Sequence, residues 1–150
     1  MLKPTAVFIE TAYGDDVKCE LLKDGRFSVR PIDGVMRFPF AYGFIPNSWA
    51  EDGDETDAVV FTSSRASGQL IYPKHVGSLH MIDNGVLDNK EVFAMSGVTV
   101  TVDMIETMKS FFRQYKSGVD VGTFNWDSGG ADTPSVLPTG EWVEIERLAF

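Results

Sequence analysis

Cysteine is almost absent from this chain. Cys19 stands alone among 150 residues, so no intramolecular disulfide can form and a reducing compartment fits. Long hydrophobic runs are missing too: no stretch approaches the ~20 apolar residues of a membrane span, and the opening Met1-Leu2-Lys3-Pro4-Thr5 has no apolar stretch resembling a signal peptide. A cytoplasmic location is expected. Basic residues are scarce, with 13 Lys and Arg against 22 Asp and Glu and a net charge of −9, so no basic stripe exists to neutralise a nucleic acid. Histidine is limited to His75 and His80, which have no metal-ligand partners, and surface or hydrogen-bonded positions are expected for both. No Ser-His-Asp or Cys-His arrangement competes for nucleophilic chemistry.

What is present reads as one globular domain over residues 1–150, with an ordinary hydrophobic fraction of 43%. Short strands are expected at 6–11, 17–21, 27–30, 58–62, 70–72, 77–81, 91–95 and 98–102. Across 17–21, Val17, Cys19 and Leu21 alternate with Lys18 and Glu20, which puts Cys19 on an apolar face where it would be inert. The turn signal Lys23-Asp24-Gly25 then makes a hairpin with 27–30, whose polar face would carry Lys18, Glu20 and Arg30. The aromatic, twice-prolinated run 36–49 reads as an irregular segment, with Phe40 and Phe44 in the core and Tyr42 beside Gly43 placed to reach a ligand. Many short strands at close spacing suggest a small barrel. One helix is clear: Met104, Ile105, Met108, Phe111, Phe112 and Tyr115 form a stripe at helical spacing, Asp103 can cap it with Glu106 completing the box, and Gly118 stops it. Residues 128–140 read as a loop, and 141–150 fit either a strand or a short helix.

The most informative segment is Asp52-Gly53-Asp54-Glu55-Thr56-Asp57, three aspartates in six residues just before an apolar strand. Carboxylates this close repel one another, and a hard divalent cation such as Mg²⁺ relieves the repulsion while leaving positions open for a phosphate. Taken alone, the cluster reads first as a solvated turn, and only the rest of the chain favours the metal. A calcium loop fails on spacing, because Asp57 and Ser63 stand where Gly and Glu would be needed. A second acidic turn, Asp83-Asn84-Gly85-Val86-Leu87-Asp88, adds two aspartates, and Glu10 one glutamate. Lys18, Arg30, Lys90 and Lys116 are the cations available to face them. Carboxylates for metals, cations for phosphate and tyrosines for orientation suit metal-assisted attack on a phosphoanhydride.

The ordered set Glu10, Lys18-Cys19-Glu20, Arg30, Phe38-Pro39-Phe40-Ala41-Tyr42-Gly43-Phe44-Ile45-Pro46, Asp52-Gly53-Asp54-Glu55-Thr56-Asp57, Gly77-Ser78-Leu79-His80-Met81-Ile82-Asp83, Asp88-Asn89-Lys90 and Phe111-Phe112-Arg113-Gln114-Tyr115-Lys116 resembles soluble family I inorganic pyrophosphatase, from about residue 8 to Trp126. The resemblance implies a mainly β (α+β) fold: a five-stranded closed OB-like barrel with one flanking helix at 103–117 and the site in its polar mouth. It implies Mg²⁺, or Mn²⁺ or another divalent ion, held by Glu10, Asp52, Asp57, Asp83 and Asp88. It implies Asp54 as the general base that takes a proton from the nucleophilic water. Lys18, Arg30, Tyr42, Lys90, Tyr115 and Lys116 match the pyrophosphate clamp, and Glu20 matches a supporting residue.

The implied reaction is hydrolysis of pyrophosphate to two orthophosphates by a metal-activated water. No nucleic acid or membrane partner is expected. The resemblance also implies a homo-oligomer, hexameric in bacterial members, although the family's second long helix is hard to find after Trp126 and a different assembly is credible. Phe38 stands where the family usually carries tyrosine, so one hydroxyl is missing. Two rivals stay open: hydrolysis of another phosphoanhydride, such as a nucleotide or short polyphosphate, and a non-catalytic metal–phosphate binding module.

Overall fold

The structure is a computed structural model that describes residues 5–31, 37–48, 55–115 and 117–127. Its strands are β1 (Val7–Thr11), β2 (Val17–Leu21), β3 (Phe27–Pro31), β4 (Ala41–Phe44), β5 (Asp57–Phe61), β6 (Gln69–Ile71), β7 (Lys74–Asp83), β8 (Val86–Leu87), β9 (Lys90–Ala94) and β10 (Val119–Trp126), with one helix, α1 (Val102–Tyr115). Eight strands form one sheet in the order β10-β7-β9-β5-β4-β1-β6, with β8 attached to β7, while β2 and β3 pair separately. Among the described residues the fold is mainly β with one helix, as expected. A closed five-stranded barrel is not confirmed: among the described residues the pairings run along an eight-stranded path, and no closing pairing is among them. No described helix is long and apolar enough to cross a membrane.

The β2–β3 hairpin forms as its alternation requires, with Lys18 opposite Arg30 and Cys19 opposite Val29. Its apolar face is not core, however. Every residue of β2 is half-buried and Val29 is 63% exposed, so Cys19 is half-buried and not sealed in. The 36–49 run hides a strand that sequence reading took as irregular. Proline on both sides and Gly43 inside obscure the alternation of β4, yet Ala41 pairs with Val60 and Tyr42 with Val59. Gly43 is required there, because a Cβ would lie 1.8 Å from the Phe8 carbonyl oxygen of β1.

Residues 98–102 are not a strand. Thr101 caps α1 in place of Asp103: its hydroxyl accepts from the Met104 amide at 3.2 Å, and the Met104 sulfur accepts from the Thr101 amide at 3.4 Å. Asp103 instead sits in the first turn, where its charge suits the helix dipole. Gly118 ends the helix region with a φ of +83°. The expected element at 141–150 and the loop at 128–140 lie outside the described residues.

The larger core explains where the site lies. Tyr42, Val59 and Phe61, Leu79 and Met81, and Val92 and Ala94 turn one face of the sheet toward α1, which covers it with Ile105, Met108, Phe111, Phe112 and Tyr115. Burying a side chain such as Phe112 contributes on the order of 2–3 kcal/mol. Strand alternation then puts Asp57 on the face of Val59, Lys90 on that of Val92 and Asp83 on that of Met81. The polar residues are thus the end of the same stripes that build the core.

Candidate active site

Lys90 is the centre of the arrangement. It is only 3% exposed, and burial alone would push its ammonium toward deprotonation. Asp57 and Asp88 reverse this: Nζ donates to Asp57 Oδ2 at 2.5 Å and to Asp88 Oδ2 at 2.8 Å, and the net effect holds its pKa above the usual lysine value. The parallel β5–β9 register, with Ala58 beside Glu91, brings Asp57 level with Lys90. Tyr42 completes this group by donating its hydroxyl to Asp57 Oδ2 at 2.9 Å. Burial first, then the Asp57 charge, lifts the Tyr42 phenol well above its ordinary pKa, so it stays a donor.

A second group comes from the hairpin. Arg30 donates to Glu20 Oε1 at 2.9 Å, and Lys18 Nζ lies 3.5 Å from the same oxygen. Lys18 also lies 3.5 Å from the Tyr115 hydroxyl, at the C-terminal end of α1. The two groups meet at the Tyr42 ring: Lys18 Nζ is 5.9 Å from its centroid and Lys90 Nζ is 5.6 Å. Phe38, 1% exposed, packs behind this pair, with its ring 6.0 Å from Tyr42, 6.5 Å from Tyr115 and 4.7 Å from Phe111.

Glu10 on β1 ties the groups together. Its Oε2 accepts from the Leu21 amide at 2.6 Å. Burial raises its pKa from 4.5 to about 7; the Leu21 bond opposes the shift, and the charges of Asp57 and Glu20 add to it. Asp83 sits at the end of β7, accepting from the Asn84 side chain at 3.1 Å. The turn Asn84-Gly85, with φ of 50° and 82°, folds β8 back so that Asp83 faces Val86 and the chain returns to Asp88.

Of the residues predicted from the sequence, Glu10, Lys18, Glu20, Arg30, Tyr42, Asp57, Asp88, Lys90 and Tyr115 thus join through contacts or mutual charge, with Asp83 at the turn leading to Asp88. Asp52, Asp54 and Lys116 lie outside the described residues. Sequence reading passed over Thr11. This buried side chain accepts from the Cys19 amide and donates to the Cys19 carbonyl, both at 3.0 Å, and so clamps β2 onto β1 between Lys18 and Glu20. Its only sequence signal is its place next to Glu10.

Oxygen-rich carboxylates facing ammonium and guanidinium groups suit a polyanion held with hard cations. Comparison with known proteins agrees. Residues 7–128 match the inorganic pyrophosphatase family. Inorganic pyrophosphatase 1 of Pseudomonas syringae pv. tomato is 32% identical over 149 aligned positions, covering 87% of this chain and 72% of its own. The inorganic pyrophosphatase of Aquifex pyrophilus is 31% identical over 157 positions, covering 94% and 77%. The solved structure of the Helicobacter pylori inorganic pyrophosphatase superposes with a TM-score of 0.75 at 23% identity, covering 97% of this chain and 98% of that one, which establishes the shared fold. The chain belongs to the inorganic pyrophosphatase family.

Proposed function

We propose that this protein hydrolyses inorganic pyrophosphate to two orthophosphates. The observation that carries the reading is the buried Lys90, held between Asp57 and Asp88 under the Tyr42 hydroxyl. Lys18, Arg30, Lys90 and Lys116, with Tyr42 and Tyr115, bind the two phosphoryl groups and offset charge on the departing phosphate. Such preorganised electrostatics is usually the largest catalytic term. The water oxygen bonds to one phosphorus as the bridging P–O bond breaks, and Asp54 takes the water's proton.

By its chemistry the donor set suits a divalent metal; among the described residues alone, no three of its carboxylates are grouped to hold one. Glu10, Asp57, Asp83 and Asp88 are hard oxygen ligands; burial chiefly lifts the Glu10 pKa, and the smaller part added by the charges of Asp57 and Glu20 is the kind a cation relieves. With Asp52 they would hold Mg²⁺, or Mn²⁺ in its place. When bound, the ion acidifies water and screens phosphate charge. The roles of Asp52, Asp54 and Lys116 rest on sequence likeness alone. Within the sheet, β7-β9-β5-β4-β1 are the five strands that an OB-like barrel would comprise, in a single cytoplasmic domain that forms a homo-oligomer.

Phosphate release from pyrophosphate, with Mg²⁺ and with chelator, tests this in wild type and Asp54→Asn. Turnover should need the metal and fall by roughly 10²–10⁴-fold in the variant. No release from pyrophosphate under any divalent metal would overturn the reading. Faster release from a nucleoside triphosphate or short polyphosphate would move the substrate to that class.

A further inference from the structure

The face of β9 turned away from the site carries a second charged cluster. Lys90 and its neighbour Glu91 point to opposite sides of the strand. Glu91 Oε1 accepts from the Ser78 hydroxyl at 2.8 Å and lies 2.9 Å from His75 Nε2. The other ring nitrogen, Nδ1, lies 2.5 Å from Asp127 Oδ2, just past the end of β10. One imidazole therefore links three consecutive neighbours in the sheet, β9, β7 and β10, and its ring packs 5.1 Å from that of Phe93.

Two features give this link a purpose. The β7–β9 ladder shifts register between His75 and Gly77, so backbone pairing is interrupted where the side chains bridge the strands. The bridge also requires a particular protonation state. Carboxylates only accept, and a neutral imidazole has a single N–H, so donation to both Glu91 and Asp127 needs the imidazolium. Loss of a proton must break one of the two bonds.

We propose that His75, Glu91 and Asp127 form a proton-dependent staple that seats β9 and thereby positions Lys90 in the site. His75 is a positioning residue here, and the inference rests on Lys90 belonging to the pyrophosphate clamp. The charged groups facing the ring are Glu91 from β9 and Asp127 from the end of β10; on its own strand, Lys74 is its chain neighbour. Burial lowers the imidazole pKa, but the bonds and charges of Asp127 and Glu91 outweigh it and bring the value to about 9. The folded pKa is thus above the ordinary 6.5, so the staple is fully in place below that pH and is lost as pH rises through about 9.

The test follows kcat and KM for pyrophosphate, and metal-free melting, across about pH 6 to 10 in wild type, His75→Gln and Asp127→Asn. Wild type should lose kcat/KM along an alkaline limb near pH 9, as sub-ångström to 1 Å displacement of Lys90 sets in. His75→Gln should start about tenfold lower at neutral pH, mainly in kcat, and lack that limb. Asp127→Asn keeps the imidazole and an acceptor oxygen but removes the negative charge that favours the imidazolium, so its limb should move to lower pH; this variant serves if His75→Gln does not fold. A limb unchanged in either folded variant overturns the proposal, even if melting falls, since a purely structural cluster would move only the melting. If wild type does not hydrolyse pyrophosphate, the functional reading fails separately, and the proposed positioning of Lys90 for that reaction falls with it.

Discussion

Replacing Tyr42 with phenylalanine isolates one hydroxyl at the centre of the site. The ring is 3% exposed and its neighbours, Phe38 at 6.0 Å, Phe112 at 5.9 Å and Phe40 at 6.2 Å, would meet the same ring after substitution. What is lost is the 2.9 Å bond to Asp57 Oδ2. A hydrogen bond to a charged acceptor contributes about 1.5–3 kcal/mol. The Asp57 side chain is 30% exposed and keeps its contact with Lys90, so water replaces part of the loss and about 1–2 kcal/mol is expected. For a chain of this size that corresponds to a melting decrease of about 3–6 °C.

Melting in chelator of wild type, Tyr42→Phe, Asp57→Ala, which leaves no acceptor, and the double variant closes a cycle, and the coupling should be about 1–2 kcal/mol. Because the phenol stays protonated, the coupling should not change with alkaline pH. A coupling indistinguishable from zero would refute the assignment of the Tyr42–Asp57 bond as a stabilising element of the site.

Two further outcomes test other parts of the site. Glu10 has a folded pKa of about 7, above its ordinary 4.5, so the folded metal-free state binds the extra proton and loses stability as pH rises between those values. Glu10→Gln should remove that decline, worth at most about 3 kcal/mol, and melt above wild type near pH 8 in chelator while gaining less from Mg²⁺; a lower melting point than wild type there would contradict it. Phe38→Tyr restores a hydroxyl beside Tyr42 and Tyr115 and should raise kcat/KM by somewhat under tenfold, whereas an unchanged rate would show that the missing hydroxyl is not a catalytic deficit.

The parts of the site that the sequence made legible share a local cause. Lys18, Glu20 and Arg30 were placed on one face because two-residue alternation across a short turn leaves few choices. The 104–115 stripe revealed α1 for the same reason, through a period of 3.6. The failures are equally physical. Strand β10 escaped because Gly122 and a register shift between Val121 and Phe124 break its alternation. Asp103 looked like the cap because aspartate favours that position, but Thr101 and the Met104 sulfur supply the reciprocal bonds.

By itself the sequence determined which residue types are present, their order along the chain, and the hairpin and helix that local periodicity dictates. It could not decide that Lys90 would be buried between Asp57 and Asp88, or that His75 would bridge Glu91 and Asp127. Those contacts join residues 33 and 52 positions apart, such as Asp57 with Lys90 and His75 with Asp127. Only the register of β5 on β9 and of β7 on β10 brings them together, because pairing between distant strands is set by how the whole sheet buries its apolar face against α1.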